Sequence, residues 1–248
     1  GSEALALLQS THIPEWSAVL IPLINDLAAF KPCILVLDDY HVIVNEAIHE
    51  AVDFLIAHIP TNVHLVMTGR SQPALSLSRL RGQAQLLELD SADLRFTAVE
   101  VEKFLTDVMR LRLSPNDRIA LEMRTEGWIA GLQLAGLSLQ SETDLTAFIT
   151  AFNGTDRHVE DYLFEEVLRH QPDEIRDFLL QTAIVDSLSR GLCDVLLDTQ
   201  DSQAMLEKLD QLCLFIVPLD RQRQWYRYHA LFIELLRHHL RIVYPERL

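Results

Sequence analysis

Two adjacent carboxylates, Asp38 and Asp39, directly follow the apolar run Ile34-Leu35-Val36-Leu37. In α/β folds ligands bind at the carboxyl ends of parallel strands. There, one carboxylate can hold a magnesium ion, directly or through water, while the other orients or deprotonates an attacking water. Acid pairs also end strands as plain solvated turns, and the pair alone does not separate the two readings. A second apolar run, Val63-His64-Leu65-Val66-Met67, ends in Thr68-Gly69-Arg70-Ser71. From the matching end of a neighbouring strand, Arg70 could reach the terminal phosphate of a nucleotide beside Asp38 and Asp39. The alternative is a surface arginine paired with an acid, which contributes little.

The elements around these residues are legible. Residues 13–30 carry Val19, Leu20, Leu23, Leu27 and Phe30 at helical spacing, and Lys31-Pro32 ends that helix. The run 33–37 is apolar at every position, as expected of a strand covered on both faces. Ile48, Ala51, Val52, Leu55, Ile56 and Ile59 form one helical stripe stopped by Pro60, and the run 63–67 follows. Strand, helix, strand at this spacing predicts a right-handed crossover in a parallel sheet, with residues 86–89 as a third strand. Acids after one strand and a polar-arginine step after the next look like the Walker B and sensor-one strands of a P-loop ATPase.

Beyond Asp90 the pattern becomes helical. Thr97 and Glu100 have capping-box spacing, Ser114-Pro115 is an N-cap with proline at the first helical position, and Gly127-Trp128 precedes an apolar helix from Ile129 to Leu139. Further helices are expected over 142–152 and 158–170. The last stretch predicts helices at 172–183, 192–197 and 202–212, strands at 215–219 and 224–228, and a closing helix over 230–242. That order is a winged helix. The expected fold is thus a partial α/β P-loop core with a parallel sheet over 1–92, an all-helical arm over 93–171 and a winged helix over 172–248, mainly α overall.

Composition limits the function. The 248 residues are 49% hydrophobic and 23% charged, with a formal net charge of −15, which is globular and acidic. No apolar run approaches the ~20 residues of a membrane helix, and no secretory leader is apparent. The cysteines, Cys33, Cys193 and Cys213, lack metal or redox spacing and read as reduced core residues of a cytoplasmic protein. Residues 172–248 hold nine basic and twelve acidic residues. Although Arg221, Arg223 and Arg227 make the hairpin locally basic, no direct DNA binding is expected of this segment. A winged-helix DNA-binding module and a fragment of another P-loop or AAA-like ATPase are the alternatives. Trp16, Trp128 and Trp225 read as packing anchors, and His238-His239 as a solvated helix face.

A phosphate-cradling loop needs glycines and Gly-Lys followed by Ser or Thr. None of the three lysines, Lys31, Lys103 and Lys208, follows a glycine. The opening Gly1-Ser2 resembles a cloning remnant, with the first strand and phosphate loop expected upstream.

Five segments in order carry a resemblance. They are Leu35-Val36-Leu37-Asp38-Asp39-Tyr40-His41, Ser78-Arg79-Leu80-Arg81-Gly82-Gln83, Asp93-Leu94-Arg95-Phe96-Thr97, residues 125–134 (Thr125-Glu126-Gly127-Trp128 onward) and Tyr226-Arg227-Tyr228-His229-Ala230-Leu231-Phe232. From about Pro14 to Tyr244 the chain resembles the nucleotide-binding oligomerisation region of the large ATP-binding regulators of the LuxR type. These are STAND-class signal-transduction ATPases, the family of the maltose-regulon activator. The departures are the missing phosphate loop and Gly69 before the arginine.

The resemblance implies a switch with ATP or ADP and magnesium as cofactors in the full-length protein, none of them tightly bound by this segment. ADP would hold the resting state, and exchange for ATP would permit self-association. Inducer-sensing and helix-turn-helix DNA-binding domains would follow in sequence. By the same resemblance Asp38 would serve magnesium, Asp39 would orient the hydrolytic water, Arg70 would sense the terminal phosphate, and His229 would touch a nucleotide phosphate. On its residues alone, His229 is equally a strand-end histidine satisfied by backbone groups.

Overall fold

The computed structural model describes residues 2–9 and 15–243. The expected helix start at Ile13 and the limits of the resemblance at Pro14 and Tyr244 lie outside the described residues. The chain divides into two compact units, residues 1–88 and 89–248.

The first unit contains α1 (Ser2–Leu8), α2 (Trp16–Ala28), β1 (Cys33–Leu37), a 3-10 turn (Tyr40–Val42), α3 (Glu46–His58), β2 (Val63–Met67) and the short α4 (Ser78–Gly82). The Asn45 side chain caps α3 by accepting from the Ala47 N–H at 3.0 Å, satisfying a donor the first turn leaves open. β1 and β2 are parallel, with Cys33 opposite Val63 and Leu37 opposite Met67. Helix α2 packs on α3 through an edge contact of Trp16 with Phe54 at 5.1 Å.

Two expectations are corrected. The strands are not covered on both faces: Ile34 and Val36 are 66% and 55% exposed, and Val66 shares their open face, while Leu35 and Leu37 are half-buried. Nor do residues 86–89 form a strand. Leu87 and Leu89 are exposed and have no ladder partner among the described residues, so an apolar run there has no backbone pairing to stabilise it.

The second unit is mainly helical. It runs through α5 (Ala98–Lys103, continued by a π-turn at Phe104–Val108), α6 (Pro115–Thr125), α7 (Ile129–Leu139), α8 (Leu145–Ala151) and α9 (Arg157–Tyr162, continued by a π-turn at Leu163–Leu168). Then come α10 (Asp173–Thr182), β3 (Leu188–Ser189), α11 (Arg190–Leu197), α12 (Ser202–Gln211), β4 (Ile216–Pro218), β5 (Trp225–Tyr228) and α13 (Ala230–Val243). The capping box at Thr97 and Glu100 forms with both of its hydrogen bonds, and Ser114 caps α6 ahead of Pro115.

The closing three-stranded antiparallel sheet has the order β3-β5-β4, flanked by α10 to α13, which is the winged-helix arrangement. One core runs through the unit, joining Leu105, Leu121, Leu132 and Leu163 of the helices to Leu206, Tyr226 and Phe232 of the winged helix. Of the cysteines only Cys193 is a core residue. Cys33 is half-buried, and Cys213 is exposed in a turn with φ of 50°. No helix among the described residues is long and apolar enough to cross a membrane.

Candidate functional site

In the first unit the acid pair lies at the carboxyl end of the parallel sheet, where its position after β1 predicts it. Thr68, the residue after β2, ties the two strand ends together. Its N–H donates to the Leu37 carbonyl at 3.0 Å, its carbonyl accepts from Tyr40 N–H at 2.9 Å, and its hydroxyl donates a short hydrogen bond to Asp38 Oδ1. The Asp39 N–H is shared between Asp38 Oδ1 and Thr68 Oγ1, each at 3.2 Å. Asp39 itself is left-handed, with φ of 52°, a conformation that aspartate tolerates better than most residues. The chain turns sharply there, both carboxylates stay exposed, and Tyr40 goes inward, its hydroxyl hydrogen-bonded with His49 Nδ1 at 2.8 Å. Burial, then the charge of Asp53, raises the Tyr40 pKa. Arg70, two residues past Thr68, is exposed at the same sheet end.

Among the described residues no cluster of three or more His, Cys, Asp or Glu side chains could hold a metal by itself. Two adjacent exposed carboxylates, one oriented by a threonine hydroxyl, nevertheless suit magnesium. That ion is commonly bound through one or two carboxylates, with phosphate oxygens and water completing its shell.

In the second unit three of the five resemblance segments meet at one side chain. Glu126 caps the carboxyl end of α6 in the left-handed region, with φ of 50°. Its carboxylate accepts from both terminal nitrogens of Arg227 at 2.7 Å, from the Ala230 N–H that opens α13 at 3.0 Å, and from Arg95 at 3.4 Å. The Glu126 side chain is only 12% exposed. Burial alone would raise its pKa. The Arg227 hydrogen bonds, with smaller contributions from His229 and Ala230 N–H, outweigh that and hold it down to about 2. The next residue, Gly127, has φ of 73°, and a Cβ there would lie 2.6 Å from the Phe96 carbonyl oxygen. Only glycine lets the turn press onto the Arg95-Phe96 backbone, where Phe96 N–H donates to Gly127 O at 2.9 Å.

His229 belongs to this second group. It is 5% exposed, its Nε2 lies 3.0 Å from the Thr125 carbonyl, and Nδ1 accepts from Leu231 N–H at 3.3 Å. An Nδ1 that accepts leaves the proton on Nε2, so the ring is a neutral Nε2–H donor. Burial lowers its pKa against the pull of Glu126, and Arg95 and Arg227 lower it further. Both nitrogens are thus engaged by backbone, as the strand-end reading of this histidine expects. Trp128 and Phe215 wall the ring edge-on at 5.9 and 5.8 Å, which makes Trp128 a packing anchor. Trp225, by contrast, is 46% exposed. The hairpin is less basic than its sequence reads, since Arg227 is held by Glu126 and Arg223 by Asp210 at 2.6 Å. On α13, His239 is not on a solvated face: it is partly buried and stacks on Phe164 at 5.0 Å.

Sequence reasoning quoted Glu126 within a motif and gave it no role. The available signal was an acid, not glycine or asparagine, at the end of α6 directly before Gly127.

Residues 164–248 match the family described as the MalT winged helix domain. Three proteins described as the HTH-type transcriptional regulator MalT are similar over most of the chain. That of Vibrio campbellii is 33% identical over 96% of this chain and 27% of its own length. That of Vibrio cholerae is 36% identical over 87% and 24%, and that of Serratia proteamaculans 35% identical over 94% and 26%. The chain spans about a quarter of the length of these relatives. A Walker-type ATPase of Pyrococcus abyssi has the same fold over 88% of this chain and 67% of its own, with a TM-score of 0.58 at 16% identity. Residues 164–248 belong to the MalT winged helix domain family, and the chain as a whole is MalT-like.

Proposed function

We propose that this chain is the nucleotide-switch region of an ATP-dependent transcription regulator of the LuxR type and STAND class, in which exchange of ADP for ATP controls self-association. Its parts would be a nucleotide core over 1–92, a helical arm over 93–171 and a winged helix over 172–248. The observation that carries this reading is the acid pair tied to Thr68 at one sheet end, in a chain about a third identical to MalT regulators over nearly its whole length. Magnesium, when bound, would supply charge neutralisation for the phosphates. Asp38, oriented by Thr68, is its carboxylate. Asp39, exposed on its left-handed turn, orients the attacking water, and Arg70 grips the terminal phosphate. His229 would touch an ADP phosphate, its Nε2–H exchanging the Thr125 carbonyl for the phosphate oxygen. Inducer-sensing and helix-turn-helix domains lie further along the full-length protein.

The test is nucleotide titration of a full-length regulator carrying this segment. Arg70→Ala is expected to weaken ATP more than ADP, because a terminal-phosphate sensor has nothing to hold in ADP. His229→Ala should weaken ADP roughly tenfold or more, the worth of one charge-directed hydrogen bond, and leave ATP less affected. A ligand biases two states only through its differential affinity for them, so equal effects on both nucleotides would defeat the switch. The 248 residues alone, which contain no Gly-Lys-Ser/Thr loop, are expected to bind Mg-ATP only weakly and not to turn it over. Micromolar affinity or steady hydrolysis in calorimetry counts against this assignment.

The winged helix is read as a regulatory lid and not a DNA reader, because Arg223 and Arg227 are already occupied by acids. Duplex DNA is expected to bind only nonspecifically, with retention fading as salt rises. Sequence-selective retention in a gel shift at physiological salt overturns the lid.

A further inference from the structure

We propose that Glu126 is the positioning residue for His229, clasping the start of α13 to the turn after α6 so that the imidazole is presented as a fixed N–H donor to a nucleotide oxyanion. This rests on the reading of His229 as the nucleotide contact. The carboxylate holds the two positions that bracket the histidine, Arg227 through a bidentate pair and Ala230 through its N–H. The neighbouring Thr125 carbonyl takes the ring's Nε2–H, and Leu231 N–H fixes Nδ1 as the acceptor. The backbone N–H of His229 donates to Phe215 O at 2.8 Å, so main chain and ring are both set. Main-chain groups of Thr125, Phe215 and Leu231 thus fix the place, the tautomer and the direction of the imidazole, and Glu126 holds the segment that carries it.

An oxyanion that takes this N–H must displace the Thr125 carbonyl, which accepts it in this structure. The charged groups facing the ring are Glu126 from the α6 turn, Arg95 from the segment before α5 and Arg227 from β5. The carboxylate opposes the two guanidiniums at the ring.

The test reads the histidine itself, by nitrogen-15 NMR of the histidine-labelled chain. The unmodified chain should show His229 as a single neutral tautomer with the proton on Nε2. Glu126→Gln keeps the side chain's length and an acceptor for Ala230 N–H but removes the charge. The ring should then stay neutral to lower pH, because two guanidiniums act unopposed. Glu126→Ala should release the ring to the mixed tautomers of a hydrated imidazole, with titration moving back toward the ordinary histidine range. A folded Glu126→Ala chain with unchanged tautomer and titration overturns the proposal. If that variant does not fold, an unchanged titration in Glu126→Gln does so.

In the full-length regulator, Glu126→Ala should weaken ADP about as much as His229→Ala, with the double variant no worse than either. Loss in His229→Ala alone overturns the positioning role and leaves the nucleotide reading standing. No loss in His229→Ala defeats the nucleotide reading, and the ring spectra still decide whether Glu126 sets the imidazole.

Discussion

Replacing Glu126 by asparagine destabilises the second unit by about 2–3 kcal/mol in urea denaturation, although the position favours asparagine conformationally. Glu126 ends α6 with φ of 50°, where glycine and asparagine are the residues helices ordinarily use, and a longer side chain there costs about 1 kcal/mol. If the residue were only a helix cap, the substitution would stabilise. Asparagine is too short and carries no charge to match the bidentate pair with Arg227, and it leaves Ala230 N–H and a partly buried guanidinium without their acceptor. The sign of the change decides between cap and clasp.

The same carboxylate predicts a pH dependence. Its folded pKa of about 2 lies below the ordinary 4.5. A depressed carboxylate contributes stability that is fully present above the unfolded pKa and is lost as pH falls through the folded one. The window is therefore from about pH 4.5 down to about 2. The full difference corresponds to about 3 kcal/mol, and the 34% exposure of the Arg227 side chain reduces this to about 2. Glu126→Gln should flatten the acid limb of the stability curve by that amount. An unchanged limb would show that the carboxylate titrates normally.

What the sequence disclosed follows the range of each signal. β1, β2 and α3 are legible because apolar runs and stripes are bounded by Pro32 and Pro60, and α6 because Ser114-Pro115 is a local cap. β3 is not legible: two residues, Leu188 and Ser189, have no period, and their strand exists only through pairing with Trp225 and Tyr226. The opposite error at 86–89 has the same cause, since composition suggested a strand that no neighbour pairs with. The π-turns at Phe104–Val108 and Leu163–Leu168 insert a residue into a helical stripe that still reads as helix. In the candidate sites, Asp38, Asp39 and Arg70 are visible as residue types at strand ends. Glu126 is not, because its partner Arg227 is 101 positions away and neither residue is unusual alone.

Gly154→Ala produces the other large loss, about 3 kcal/mol or more by thermal or urea unfolding. Gly154 lies in the turn between α8 and α9 and presses on the backbone of α13. A Cβ there would sit 1.9 Å from the Leu231 carbonyl oxygen and 3.0 Å from the Leu235 nitrogen. Those atoms belong to helical main chain and cannot turn aside as a flexible side chain can, so either the turn or α13 must move. Moving the turn also stretches the 2.7 Å hydrogen bond from Gly154 N–H to Glu234. Gly191→Ala is the control: beyond its chain neighbours and its own helix backbone nothing lies within 4 Å of its Cβ position, and alanine in α11 should be neutral or stabilising by up to about 1 kcal/mol. The site of the loss matters as much as its size. Leu231 is two residues from His229, and its N–H holds Nδ1 of that ring. A shift of α13 at Leu231 should therefore disturb the His229 tautomer in Gly154→Ala and leave it intact in Gly191→Ala. If the two glycine variants unfold alike, α13 is not held in place by close contact with this turn, and the Glu126 clasp alone must fix its start.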